Sequence, residues 1–235
     1  ERGITYGEAV SFTTTKITAP TVTTTATSNV SYTTVTLGGN VTNANGATVT
    51  ERGICWGTSA NPIVTNSKKA VGSGTGSFTA NITGLSDGTK YYVRAYATNE
   101  RGTSYGEEKT FTTTKITAPT ITTSAASNIS YTTFTLGGTA TAGNGSTIKE
   151  RGICWNTSTN PTTSNSKKVV GSGTGNFTAN ITGLSDGTKY YVRAYVTYEK
   201  GTVYGEEKTF TTTKITAPTV TTTAASNVSY TKVTL

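Results

Sequence analysis

An unbroken repeat constrains this chain more than anything else in it. The hexapeptide from Glu51 to Trp56 returns unchanged from Glu150 to Trp155, an offset of 99 residues. Lys16 to Pro20 returns at the same offset as Lys115 to Pro119, and again as Lys214 to Pro218. No insertion or deletion disturbs the frame, and about three positions in four are identical between the two complete copies. A unit of this size can close a hydrophobic core of its own, so the frame predicts a row of small domains rather than one large body. The expected boundaries are 16–114 and 115–213 for the complete repeats. Residues 1–15 read as the end of a preceding repeat, and residues 214–235 as the first two strands of a following one. This register predicts that the polypeptide continues in both directions. The alternative is that a neighbouring molecule completes the broken repeats by strand pairing.

The composition decides which secondary structure fills the frame. Charged residues make up only 14%, and Thr takes their place as polar filler. Thr is β-branched and stiff at χ1, which favours extended backbone. Apolar residues alternate: Val35, Leu37 and Val41 share a parity, as do Phe78, Ala80 and Ile82, and Tyr91, Val93, Ala95 and Ala97. Period 2 is the pattern of a strand with one face buried. Turn residues punctuate these runs at Asn45-Gly46, Asn61-Pro62, Gly72 to Gly76 and Asp87-Gly88. About seven strands per hundred residues, all-β, predict an immunoglobulin-like sandwich.

One stretch makes the resemblance specific. Leu85-Ser86-Asp87-Gly88-Thr89-Lys90-Tyr91-Tyr92-Val93-Arg94-Ala95-Tyr96-Ala97 resembles the E–F corner and F strand of a fibronectin type III domain, and the second copy runs from Leu184 to Val196. The resemblance implies tandem seven-stranded fibronectin type III-like sandwiches. It makes Tyr91 and Tyr190 corner tyrosines whose hydroxyls bond back to nearby backbone. Gly102 to Gly106 and Thr110 to Thr113 resemble the F–G loop and G strand, and the strand ending at Trp56 resembles a bacterial branch found in repetitive surface proteins. The usual strand-B Trp is absent, and Trp56 falls on the expected strand C.

The residue inventory excludes most chemistry. With no His, the Ser–His–Asp and Cys–His arrangements and most zinc sites are ruled out. Asp occurs only as Asp87 and Asp186, both in turns, and Glu100, Glu107 and Glu108 read as solvated charges around a hairpin. Gly72-x-Gly74-x-Gly76 lacks the following helix of a phosphate-binding loop and reads as a flexible hairpin. Cys55 and Cys154 occupy matching places in separate units, too far apart for a disulfide, and read as buried free thiols. No catalytic residue, metal ligand or cofactor is expected.

The net charge of +8 is dispersed, with Lys68-Lys69 and Lys167-Lys168 the only adjacent basic pairs, which argues against nucleic acid. No stretch is long and apolar enough for a membrane helix. Asn-x-Ser/Thr triplets at Asn29, Asn40, Asn81, Asn128, Asn144, Asn156, Asn176, Asn180 and Asn227 are glycan acceptors in form, though abundant Thr produces such triplets by chance.

The expected contact surface is the outward face of the F strand: Tyr92, Arg94 and Tyr96, with Tyr191, Arg193 and Tyr195 in the second copy. Its rival reading is a cross-strand ladder with Arg between rings. The Gly-free linker from Lys115 to Pro119 predicts a semi-rigid rod gaining ~35 Å per unit. These features fit an extracellular or cell-surface shaft or filament whose partner is itself. A glycan- or cell-wall-binding adhesin module and the spacer of a secreted multidomain enzyme are the alternatives.

Overall fold

The structure, a computed structural model, describes residues 1–227 and 229–231. It divides into two units, Glu1–Ile116 and Thr117–Leu235. Among the described residues there is no helix long and apolar enough to cross a membrane. The first unit holds β1 (Thr21–Thr24), β2 (Val35–Asn43), β3 (Glu51–Gly57), β4 (Ser67–Gly72), β5 (Gly76–Ile82), β6 (Lys90–Asn99), β7 (Gly102–Tyr105) and β8 (Lys109–Thr112). The second repeats the series as β9 (Thr120–Thr123), β10 (Phe134–Thr141), β11 (Glu150–Asn156), β12 (Ser166–Gly171), β13 (Gly175–Ile181), β14 (Lys189–Tyr198), β15 (Gly201–Tyr204) and β16 (Lys208–Thr211).

Each unit is a sandwich of two antiparallel sheets. In the first, β1-β2-β5 faces β4-β3-β6, and β7 and β8 both pair with β6. The apolar parities seen in the sequence all turn inward. Val35, Leu37 and Val41 meet Phe78, Ala80 and Ile82 on one sheet, and Ile54, Tyr91, Val93, Ala95 and Ala97 on the other. At Gly39 the sheets approach so closely that a Cβ would stand 2.5 Å from that of Ala95. The second core keeps the plan with exchanges of volume. Ala140 replaces Val41, while Val196 replaces Ala97 and Ile148 replaces Val49. Volume lost at Ala140 is regained at Val196, while Ile148 and Phe134, the latter in place of Val35, enlarge the second core.

Two details depart from the expected seven strands. The G strand is broken, so that β8 pairs with Lys90–Val93 of β6 and β7 with Tyr96–Asn99. At the break, the amide of Gly106 donates to the Ala95 carbonyl (2.9 Å), and the Ala95 amide donates to the Thr24 hydroxyl (3.0 Å). Thr24 is buried for this purpose, and Thr123 does the same for Ala194. A buried amide left unpaired costs about 1–3 kcal/mol, so this threonine substitutes for a missing ladder partner.

The second departure is at the glycine run. Gly72 to Gly76 does not close a hairpin but carries the chain from the five-stranded sheet to the three-stranded one. Its carbonyls converge on Arg52, whose Nη1 lies 2.6 Å from the Thr75 oxygen and 3.0 Å from that of Gly76. The guanidinium also sits over Phe78, 5.3 Å from the ring centre. Outside the sandwiches, residues 1–20 form no strand, nor do residues 212–225. Isolated strands without a core do not persist. Positions 228 and 232–235 of the expected trailing fragment lie outside the described residues.

Candidate functional site

The corner tyrosine is where local sequence and tertiary structure meet most directly. The Ser86 amide donates to the Tyr91 hydroxyl at 3.0 Å, and the Ser185 amide to Tyr190 at 3.1 Å. The Tyr91 ring stacks on Phe111 with centroids 5.5 Å apart. Tyr91 thus closes the E–F corner, as the resemblance implies.

Its neighbours on β6 alternate to the other side. Tyr92, Arg94 and Tyr96 lie on the outer face of the five-stranded sheet, opposite the core residues Tyr91, Val93 and Ala95. That face is not uniformly open. Tyr96 and Tyr195 are 0% exposed, so the expectation that they present a contact surface to solvent fails. Alternation fixes the side of the sheet on which a residue stands, not what later crosses over it.

On that side the segment between β3 and β4 folds back against the sheet as a strap. Pro62 is buried, and its carbonyl lies 3.3 Å from the Cys55 sulfur, which also approaches the Arg94 carbonyl at 3.4 Å. The Val64 amide donates to the Tyr105 hydroxyl (3.2 Å), and the Asn61 amide to the Glu108 carboxylate. The Tyr96 ring lies over Gly53, where an added Cβ would stand 2.9 Å from Cε1. The second unit reproduces the strap through Pro161, Cys154, Tyr204 and Glu207. Neither Cys55 nor Tyr96 belongs to the inter-sheet core; they form a thin second layer on the outside of the sheet.

The polar ends of this layer satisfy one another. The Tyr96 hydroxyl donates to Glu51 at 2.6 Å, and Lys68 bonds the same carboxylate at 3.0 Å. These two hydrogen bonds hold the Glu51 carboxyl below the usual carboxylate range, and burial pushes the Tyr96 hydroxyl well above its own. Burial also raises the thiols of Cys55 and Cys154 to about 11, which keeps them protonated and unreactive at neutral pH.

Arg94 stacks on Tyr105 (4.7 Å) and donates through Nε to the Gly106 carbonyl (3.0 Å), so it braces the break in the G strand. Lys90 sits over Tyr92 at 5.0 Å. In the second unit Arg193 stacks on Tyr204 at 4.7 Å and Lys189 on Tyr191 at 5.0 Å. The expected stripe is thereby a row of internal cation–aromatic contacts, each stabilising by about 0.5–1 kcal/mol at an exposed site. Tyr92 and Arg94 keep part of their surface open, as do Tyr191 and Arg193.

Sequence reasoning missed Tyr105, Glu51 and the strap itself. The signal was present in Asn61-Pro62, read only as a turn, and in a cysteine occupying an outward parity of a strand. Among the described residues, no three His, Cys, Asp or Glu side chains gather into a metal site.

No protein-family model matches the sequence, and no curated protein matches it. Several solved structures align with the chain at low identity. The first to third fibronectin domains of chicken CNTN1 align over 85% of this chain and 70% of theirs, at 12% identity and a TM-score of 0.35. A two-domain fibronectin type III segment of chicken tenascin aligns over 82% and 96%, at 16% identity and 0.29. The short sensor domain of the anti-sigma factor RsgI4 from Pseudobacteroides cellulosolvens aligns over 43% and 100%, at 17% identity and 0.33. The strand order, the sheet partition and the Tyr91 corner bond are those of a fibronectin type III-like sandwich. The chain therefore carries two fibronectin type III-like β-sandwiches in tandem.

Proposed function

We propose that this chain is a structural repeat array, the shaft of a cell-surface protein or of an extracellular filament, and that it performs no catalysis. The observation that carries this reading is the treatment of the junction between units. Ile116, the last residue of the first unit, donates its amide to the Asp87 carboxylate of that unit at 2.8 Å. Beside it, the Gly88 amide donates to the Thr114 carbonyl at 3.1 Å, and Lys115 packs along Gly88. Thr117, the first residue of the second unit, donates to the Asn144 carbonyl of its own unit at 3.0 Å. Each side of the junction is thus tied to its own sandwich, which leaves little free chain in the link and supports a shaft over a loose tether. The pattern recurs at the end of the second unit, where Ile215 donates to Asp186 at 3.0 Å. Absence of His from the sequence and the self-contained partners of Glu51, Glu107 and Glu108 favour a non-catalytic role.

Spin labels placed on one exposed strand of each unit test this by pulsed dipolar spectroscopy. A narrow distance distribution is expected, broadening in Asp87→Ala. A broad distribution in the unaltered chain would remove the basis for a shaft.

A further inference from the structure

We infer that the groove beside Trp56 in the first unit is a binding site for one neutral pyranose ring, and that the second unit lacks it. The groove has a volume of about 240 Å³ and is lined by Trp56, Gly57, Thr58, Ser59, Asn66 and Ser67. Trp56 packs against the inter-sheet core, is only half-buried and lines the groove. The rim is hydroxyl and amide, and none of the lining residues is charged. An indole supplies the apolar platform on which a sugar ring's C–H face lies, and short hydroxyl and amide groups supply donors and acceptors for its edge. The lack of a charged lining residue selects a neutral ring over an acidic one, and the volume admits a single ring.

Part of the rim belongs to the strap between β3 and β4. Asn66 accepts from the Ile63 amide through Oδ1 at 2.8 Å, and the Asn66 amide donates back to the Ile63 carbonyl at 2.9 Å. The side-chain Nδ2 of Asn66 donates to nothing among the described residues.

The repeat provides its own control. At the position of Gly57 the second unit carries Asn156, whose side chain folds onto its own loop and accepts from the Thr157 amide at 2.8 Å. Ala60 is likewise replaced by Thr159. A Cβ added at Gly57 meets nothing closer than 3.9 Å, so the glycine is not needed for backbone geometry or packing. What its hydrogen leaves is space in the groove wall. This inference is independent of the shaft: it gives a repeat array one sugar contact per unit of the first type.

The test uses the whole chain, which contains two Trp and hence two indole N–H signals. D-glucose, D-galactose and N-acetyl-D-glucosamine are titrated separately, with D-glucuronate as the acidic comparison, and the indole signals are followed by NMR. We expect saturable movement of the Trp56 signal in the millimolar range with at least one neutral sugar, while Trp155 stays still. Gly57→Asn should weaken the response about tenfold or more, and Asn156→Gly should confer one on Trp155. The second unit shows that a sandwich of this kind folds with Asn at this place, so loss of binding in Gly57→Asn is not loss of folding. No saturable movement with any of the three neutral sugars would overturn the inference. So would equal movement of both indoles, or an unchanged response in Gly57→Asn.

Discussion

Three tyrosines within six residues of one strand have three fates, and each follows from the atoms that reach its hydroxyl. Tyr91 receives the Ser86 amide, Tyr92 lies under Lys90, and Tyr96 donates to Glu51. Replacing Tyr91 with Phe keeps the ring on Phe111 but leaves the Ser86 amide without its acceptor. A loss of about 1 kcal/mol is expected in denaturant unfolding. Tyr96→Phe removes a donor from Glu51, whose carboxyl should then titrate closer to its ordinary range by NMR. The sign of the accompanying pH effect is fixed, because the folded-state value is depressed. The stabilisation by this clasp is complete above the ordinary carboxylate range and is lost as pH falls through the lowered value. Cys55, with its thiol raised to about 11, should resist a thiol reagent at neutral pH in the folded chain and react only when denatured.

At the scale of elements, β6 is the hub of the unit, and the broken G strand beside it is its weak place. Thr24 repairs the ladder there from another sheet, so Thr24→Val should cost about 1–3 kcal/mol, far beyond what an isosteric surface change costs. Gly53→Ala should be costly for a different reason. Its methyl would enter the Lys69 carbonyl on β4 and the Tyr96 ring on β6, so overpacking of about 1–3 kcal/mol is expected in the same assay. The inward faces of β2, β5 and β6 were legible in the sequence because alternation is a property of the strand itself. The broken G strand and the strap were not. Both depend on which backbone groups lack partners once the sheets have met, and Thr24 is 71 residues away from the amide it satisfies.

At the scale of the molecule, each unit has its own core, Val22 to Phe111 in one and Ile121 to Phe210 in the other. A lesion in one core should therefore stay there. In Thr24→Val, calorimetry is expected to show one unfolding transition moved to lower temperature and a second, belonging to the unit that keeps Thr123, unmoved. A single transition shifted as a whole would contradict independent units. The 99-residue frame, the all-β class and the inward faces were determined by the sequence alone, and the corner at Tyr91 was implied by its resemblance to fibronectin type III domains. Period, strand alternation and turn chemistry are local, and a chain carries them before it folds. Tertiary structure alone decided that Tyr96 and Tyr195 are covered, that Cys55 lies outside the inter-sheet core, and that Trp56 borders a groove. Burial on the outer face of a sheet is set by segments that return across it, and alternation along a strand has no information about where such segments go.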